Sequence, residues 1–339
     1  MKFKTISTIG GVLIIFAGGV FAGYNFASNK VQFALFQPAE SNTSESRSGE
    51  ENLINPLLDC DIGDELLRTE LKPFKDEVQA YIDKKTKEGV ITESAMYFRD
   101  LNNGPNFGIN IDFSFIPASL LKVPIMIAYF KEAESQPQTL EKMLEFKPEM
   151  ADPNYVQTLV PESQRLEVGK KYSVKDLVSK MIANSDNNAK TVLVANLEPS
   201  LILKTYNDLG LSVKNLDNID QNVTIKQYAT FFRILFNASY LTKDFSQLAL
   251  QYLAQASFQK GLAKNLPSDI KIAHKYGVPQ TTDGLKELHN CGIIYYPKRP
   301  YLLCVMTKGD DYTELENFIS NISDIAYRNV DKQIQLKGN

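Results

Sequence analysis

The order of helical and strand-like segments restricts the fold of this 339-residue chain more than any other feature. Residues 72–88 place Phe74, Val78, Tyr81 and Ile82 on one helical face, with Pro73 near its start. SAMYFRDL and FGINID follow, parted by Asn102-Asn103-Gly104-Pro105, and read as a β-hairpin. A buried helix then starts near Pro117, and helical spacing dominates to about residue 260. Within that middle, SVKDLVSKMIAN opens on a capping box from Ser173 to Asp176. EPSLILKTYNDLG runs from Pro199 to Gly210, and TIKQYATFFRILF opens on Thr224 and Gln227. After 270 strand patterns return as IKIAHKYG, CGIIYYP and YLLCVMTKG, and a helix over 312–327 closes the chain. The two ends of the domain must therefore supply one antiparallel sheet and the middle a helical lobe, an α+β fold.

The first thirty residues carry Lys2 and Lys4 and then no charge until Lys30. That run is long enough to span a bilayer, which needs about 20 apolar residues, and the lysines favour an N-terminus inside the cell. The expectation is a single-pass anchor over 1–30 with the rest of the chain outside the cytoplasm; a signal peptide cleaved near Val20-Phe21-Ala22 is the alternative. Residues 31–55 include the acidic, low-complexity stretch PAESNTSESRSGEEN and read as a disordered tether. Residues 56–339 then form one domain, large enough for a sizeable core. The net charge of −3 offers no footprint for nucleic acid. Cys60 follows Leu57-Leu58-Asp59 but lies too far from the apolar run for a lipid attachment box. Cys291 and Cys304 flank YYPKRPY and would face each other across a hairpin, either as a disulfide in an exported domain or as two core thiols.

Residues 115–127 read FIPASLLKVPIMI, with Ser119 and Lys122 set in apolar sequence. A buried lysine is costly unless it is paired or loses its proton. A snorkelling lysine beside a capping serine is one solution, and a nucleophile with its base is another. Ser-x-x-Lys also occurs at Ser257/Lys260 and Ser268/Lys271, so the spacing alone does not decide. Two further motifs do. Ser185-Asp186-Asn187 follows the apolar helix face of SVKDLVSKMIAN, and Lys275-Tyr276-Gly277 ends the strand IKIAHKYG.

In this order the three elements match Ser-x-x-Lys, Ser-Asp-Asn and Lys-Thr-Gly, the set found in class A β-lactamases and penicillin-binding proteins. Over roughly residues 70–330 the chain resembles that superfamily of serine hydrolases in motifs and element order. The resemblance implies Ser119 as nucleophile, Lys122 as its base and Ser185 as a proton relay to the leaving nitrogen. It implies an oxyanion hole from the N–H groups of Ser119 and Val278. Asn187 would bind the substrate amide and Lys275 would attract the substrate carboxylate, with Tyr276, Gly277 and Val278 completing the substrate-binding set. The implied substrate is a β-lactam or a D-alanyl amide such as a peptidoglycan stem peptide. No metal or organic cofactor is implied. His274 and His289 are too few for a zinc site or a Ser-His-Asp triad.

Two departures mark the match. Tyr276 stands where threonine is usual. The interval NDLGLSVKNLDNIDQNV contains no glutamate to activate the deacylating water; Glu198 comes too early, and Asp217 or Asp220 are the substitutes on offer. Acylation is therefore expected to outrun deacylation. A D,D-peptidase or other cell-wall hydrolase inhibited by β-lactams, and a non-catalytic envelope binding module, remain the rival readings.

Overall fold

The computed structural model describes residues 53–56, 65–102, 104–151, 165–211 and 222–337. The expected order holds. Helix α1 (Glu65–Lys87) precedes strands β1 (Glu93–Asp100) and β2 (Asn106–Ile109). Strands β7 (Ile272–Gly277), β8 (Lys286–Ile294) and β9 (Tyr301–Gly309) precede the closing helix α8 (Tyr312–Lys337). These five strands form one antiparallel sheet in the order β2-β1-β9-β8-β7, so the two ends of the domain pair through β1 and β9. Between them lie α2 (Lys122–Ser135), α3 (Val174–Ala183), α4 (Asn187–Asn196), α5 (Pro199–Asp208), α6 (Ile225–Phe236) and α7 (Lys243–Leu253). Short strands β3 (Ser114–Phe115) and β6 (Val223–Thr224) pair with each other, as do β4 (Met143–Glu145) and β5 (Lys171–Ser173).

The period-2 alternation of the strands divides the core between two faces. On the back, Phe74 of α1 packs edge-on against Phe98 and Phe107 at 4.9 and 4.8 Å between ring centres. Leu315, Phe318, Ile319 and Ile322 of α8 complete that side. On the front, the helical lobe surrounds α2, which is buried on nearly every side from Lys122 to Phe130, as a central helix must be. The register aligns Tyr97, Cys304, Cys291 and Lys275 in one front-facing row across four strands. Cys291 and Cys304 are joined as a disulfide.

Three local expectations are corrected. Strand β8 begins at Lys286, five residues before Cys291, because its polar residues Glu287, His289 and Asn290 are buried with partners rather than solvated. The helix expected near Pro117 starts as a 3-10 turn, Ala118–Leu121, and becomes α only at Lys122. Finally, Leu53 and Ile54, within the stretch assigned to the tether, are buried in the front core. Their N–H groups donate to Gln247 Oε1 at 2.8 and 3.2 Å, and the Tyr295 hydroxyl donates to Leu53 O at 2.9 Å. The apolar run at 1–30 lies outside the described residues, among which no helix is long and apolar enough to cross a membrane.

Candidate active site

Three separate elements meet at one corner of the helical lobe. The 3-10 turn carries Ser119, half-buried, with Lys122 one turn on. The corner between α3 and α4 carries Ser185, and the end of β7 carries Lys275. Lys122 Nζ donates to Ser185 O at 2.6 Å, Ser185 Oγ at 3.1 Å and Asn187 Oδ1 at 2.5 Å. Lys275 Nζ donates to the same Ser185 Oγ at 2.8 Å and to Tyr276 O at 3.0 Å. One hydroxyl thus bridges two buried amines that lie 153 residues apart in the chain.

Glycine and backbone strain make this approach possible. A Cβ at Gly277 would sit 2.8 Å from Pro117 O and 2.9 Å from Leu120 Cγ, so β7 can lie against the 3-10 turn only with glycine there. Ala118 and Ser185 hold φ of +46° and +55°, a region that side chains other than glycine seldom occupy and that concentrates at functional sites. Asp186 holds the second strained turn by capping α4, accepting from the N–H groups of Asn188 (2.8 Å) and Ala189 (3.1 Å). Burial raises its pKa, partly offset by those two bonds.

The electrostatics follow from burial. Lys122 is brought down to about 7, first by desolvation and then by Lys190 on α4, against the opposing pull of Asp186. Lys275 is driven well below its ordinary value by burial and by the neighbouring Lys122. A neutral amine at Lys122 is thus available near neutral pH. No hydrogen bond joins Lys122 to Ser119; the Lys122 amine donates to the α3–α4 corner instead.

Val278 and Tyr276 flank Gly277 at the end of β7. Val278 is exposed just past the end of β7, next to the turn that Gly277 admits. Tyr276 does not simply replace a threonine. Its ring stacks on Phe258 at 4.2 Å and receives Lys275 Nζ on its face at 4.3 Å. Glu198 is an exposed residue at the start of α5, and Asp217 and Asp220 lie outside the described residues. His274 is buried and held down to about 4, chiefly by desolvation, so it stays neutral. Among the described residues no cluster of His, Cys, Asp and Glu is arranged to hold a metal.

Several supporting residues carry no sequence signal. Asn290 on β8 donates to Lys275 O and meets His274 Nδ1, both at 3.0 Å, while its Oδ1 accepts from Leu262 N. Glu287 Oε2 accepts from Ile116 N at 3.3 Å, and His289 Nε2 lies 3.1 Å from Ile116 O, so β8 grips the backbone three residues before Ser119. The other Ser-x-x-Lys pairs are structural. Ser257 donates to Ala183 O, Lys260 pairs with Glu316, and Ser268 is exposed.

Residues 73–330 match the family model described as the beta-lactamase enzyme family. The chain belongs to this family. It is a serine hydrolase of the β-lactam-interacting kind, and its architecture is that of the β-lactamases and transpeptidases. Among solved structures it is similar to PBP-A, at 20% identity and TM-score 0.64, covering 77% of this chain and 97% of that one. It is also similar to a β-lactamase from Chitinophaga pinensis, at 18% identity and TM-score 0.66, with 76% and 98% covered. A class A β-lactamase representative from Bacteroides cellulosilyticus gives 18%, 0.66, 76% and 99%. No curated protein matches the sequence significantly.

Proposed function

We propose that the protein forms an acyl-enzyme at Ser119 with β-lactams or D-alanyl amides, and that it does so outside the cytoplasm, tethered by its N-terminal segment. The observation that carries this reading is the bridge of Ser185 Oγ between Lys122 and Lys275, one turn from Ser119. Neutral Lys122 takes the Ser119 proton, directly or through Ser185, as Oγ attacks the amide carbon. The N–H groups of Ser119 and Val278 face the oxyanion that develops. Ser185 then passes a proton from Lys122 to the departing nitrogen, the C–N bond breaks, and an ester remains on Ser119. Asn187 and Lys275 orient the substrate amide and carboxylate.

A penicillin-binding or D,D-peptidase role is the second reading, favoured by the absence of glutamate between residues 206 and 223. A similar structure is a leucine-to-glutamate mutant of PBP-A, an acyl-enzyme complex with penicillin G. The charge-free run before Lys30 supports an exported protein, and the Cys291–Cys304 disulfide suits an oxidising compartment. Intact-mass measurement after mixing with penicillin G tests both readings. A persisting adduct that Ser119→Ala abolishes supports the penicillin-binding role, and a transient one supports a lactamase. An adduct that survives Ser119→Ala places the nucleophile elsewhere.

A further inference from the structure

Two tyrosine hydroxyls outside every motif reach the backbone of the nucleophile turn. Tyr228 OH donates to Leu120 O at 3.1 Å, and Tyr206 OH donates to Leu121 O at 3.2 Å. Both side chains are fully buried, so neither has water as an alternative partner. The chain has a specific need for the first of these bonds. In a continuous α-helix the Leu120 carbonyl would accept from the N–H four residues on, but that residue is Pro124, which has none. The helix responds by tightening into the 3-10 turn, where the Lys122 N–H is shared between Ser119 O and Leu120 O. Leu121, by contrast, keeps Ile125 as an ordinary helical donor. Tyr228 thus supplies the second donor that Leu120 O, left with only a shared N–H, would otherwise take from residue 124, whereas Tyr206 adds to a regular helical bond.

The fold brings Tyr228 there directly. Strand β3 pairs with β6 through Ser114↔Thr224 and Phe115↔Val223, which sets the start of α6 beside the turn. Thr224 caps α6 with a complete capping box, and Tyr228 lies one turn later. Phe231 and Phe232 meet the Tyr228 ring edge-on at 5.4 and 5.9 Å and fix its direction.

We infer that Tyr228 is a positioning residue for acylation: its hydroxyl stands in for the N–H that Pro124 lacks and so fixes the turn bearing Ser119. This rests on Ser119 being the nucleophile. A misplacement of about 1 Å can cost about 10²-fold in rate. Tyr228→Phe, which removes one oxygen, is expected to slow acylation by penicillin G about tenfold at saturation, with the concentration for half-maximal rate little changed. Tyr206→Phe is expected to slow it less than threefold. The decisive variant is Pro124→Ala/Tyr228→Phe, in which the restored N–H should return most of the lost acylation rate.

Stopped-flow acylation of the full chain, with melting temperature followed in parallel, reads all of these. Equal rates for wild type and Tyr228→Phe, or no rescue by Pro124→Ala, overturn the inference. Should Tyr228→Phe alone fail to fold, the double variant carries the test, since it is expected both to fold and to acylate. Labelling that survives Ser119→Ala would instead overturn the underlying reading and leave Tyr228 without a reaction to position.

Discussion

The two faces of the central sheet are built from the same five strands, yet they answer different demands. Most of the back is apolar, with Phe74, Phe98 and Phe107 clustered beneath α1 and α8 where the hydrophobic effect puts them. At the β7 edge of the front, two lysines with depressed pKa converge on one serine, and two residues hold positive φ. One face stores stability, while the other spends some of it on chemistry. Residues on the two faces should therefore fail in opposite ways when changed.

The largest expected contrast is between Lys122→Ala and Phe98→Ala. If Lys122 is the base proposed above, its removal should slow acylation by about 10²–10⁴-fold, the usual worth of a positioned general base, while the domain still melts cooperatively. Phe98 is fully buried, and its loss should cost about 3–5 kcal/mol of stability. Acylation by penicillin G should stay near wild type at temperatures where the variant is folded. Urea unfolding and single-turnover labelling, run on both proteins, separate the two outcomes. If Phe98→Ala loses acylation as steeply as Lys122→Ala, the faces are not independent and the comparison breaks.

Proton linkage sharpens the same contrast. Folded Lys122 releases its proton at about 7, whereas the unfolded chain holds it to its ordinary value of 10.5. Between those values the unfolded state binds more protons, so this residue makes stability rise with pH; below about 7 both states are protonated and it adds no slope. The depressed Lys275 acts in the same direction. Wild-type stability should therefore increase between pH 7.5 and 9, and Lys122→Met should reduce that slope while Phe98→Ala leaves it in place. Acylation should also climb as pH rises through about 7, since only the neutral amine can accept the Ser119 proton. A flat acylation profile across pH 6–8 would remove Lys122 as the base.

The same division explains how much was legible in the sequence. The back face and the element order were readable because alternation and helical spacing report burial directly, as in Phe74, Val78 and Ile82 of α1. The motif residues Ser119, Lys122, Ser185 and Lys275 were readable because their three motifs, taken in order, resemble the β-lactamase set, although each is ordinary alone. Their mutual contacts were not. Ser119 and Lys122 stand one turn apart, yet the Lys122 amine bonds Ser185 and Asn187, partners 63 and 65 residues away that no local spacing reports. Asn290 and Glu287 carry no local signal because a polar residue satisfied by a partner 15 to 171 residues away looks, locally, like a solvated one. Leu53 and Ile54 were absorbed into the tether by their acidic neighbours, although Gln247 and Tyr295 hold them in the core.

The smallest expected effect lies at the seam between the faces. Along β7, Tyr276 alternates with Lys275 and pairs with Asn290 of the back-facing set, so its ring reaches Phe258 rather than the front core. At the same time that ring receives Lys275 Nζ on its face, so a back-facing side chain helps hold a front-facing amine. Tyr276→Thr removes the stack and the cation–π contact, with a loss of about 0.5–1.5 kcal/mol from the aromatic pair. It also frees Lys275 from the ring and offers a short hydroxyl at the strand end. Noncovalent affinity for penicillin G should then improve a few-fold, while the limiting acylation rate stays within about twofold, because Ser119, Lys122 and Ser185 are untouched. Phe258→Ala is the control, since it breaks the stack without supplying a hydroxyl and should lower stability with no gain in affinity. If Phe258→Ala improves affinity as much as Tyr276→Thr, the gain comes from loosening the strand end rather than from the new hydroxyl. If neither changes affinity, Tyr276 belongs wholly to the back face and the seam has no bearing on substrate.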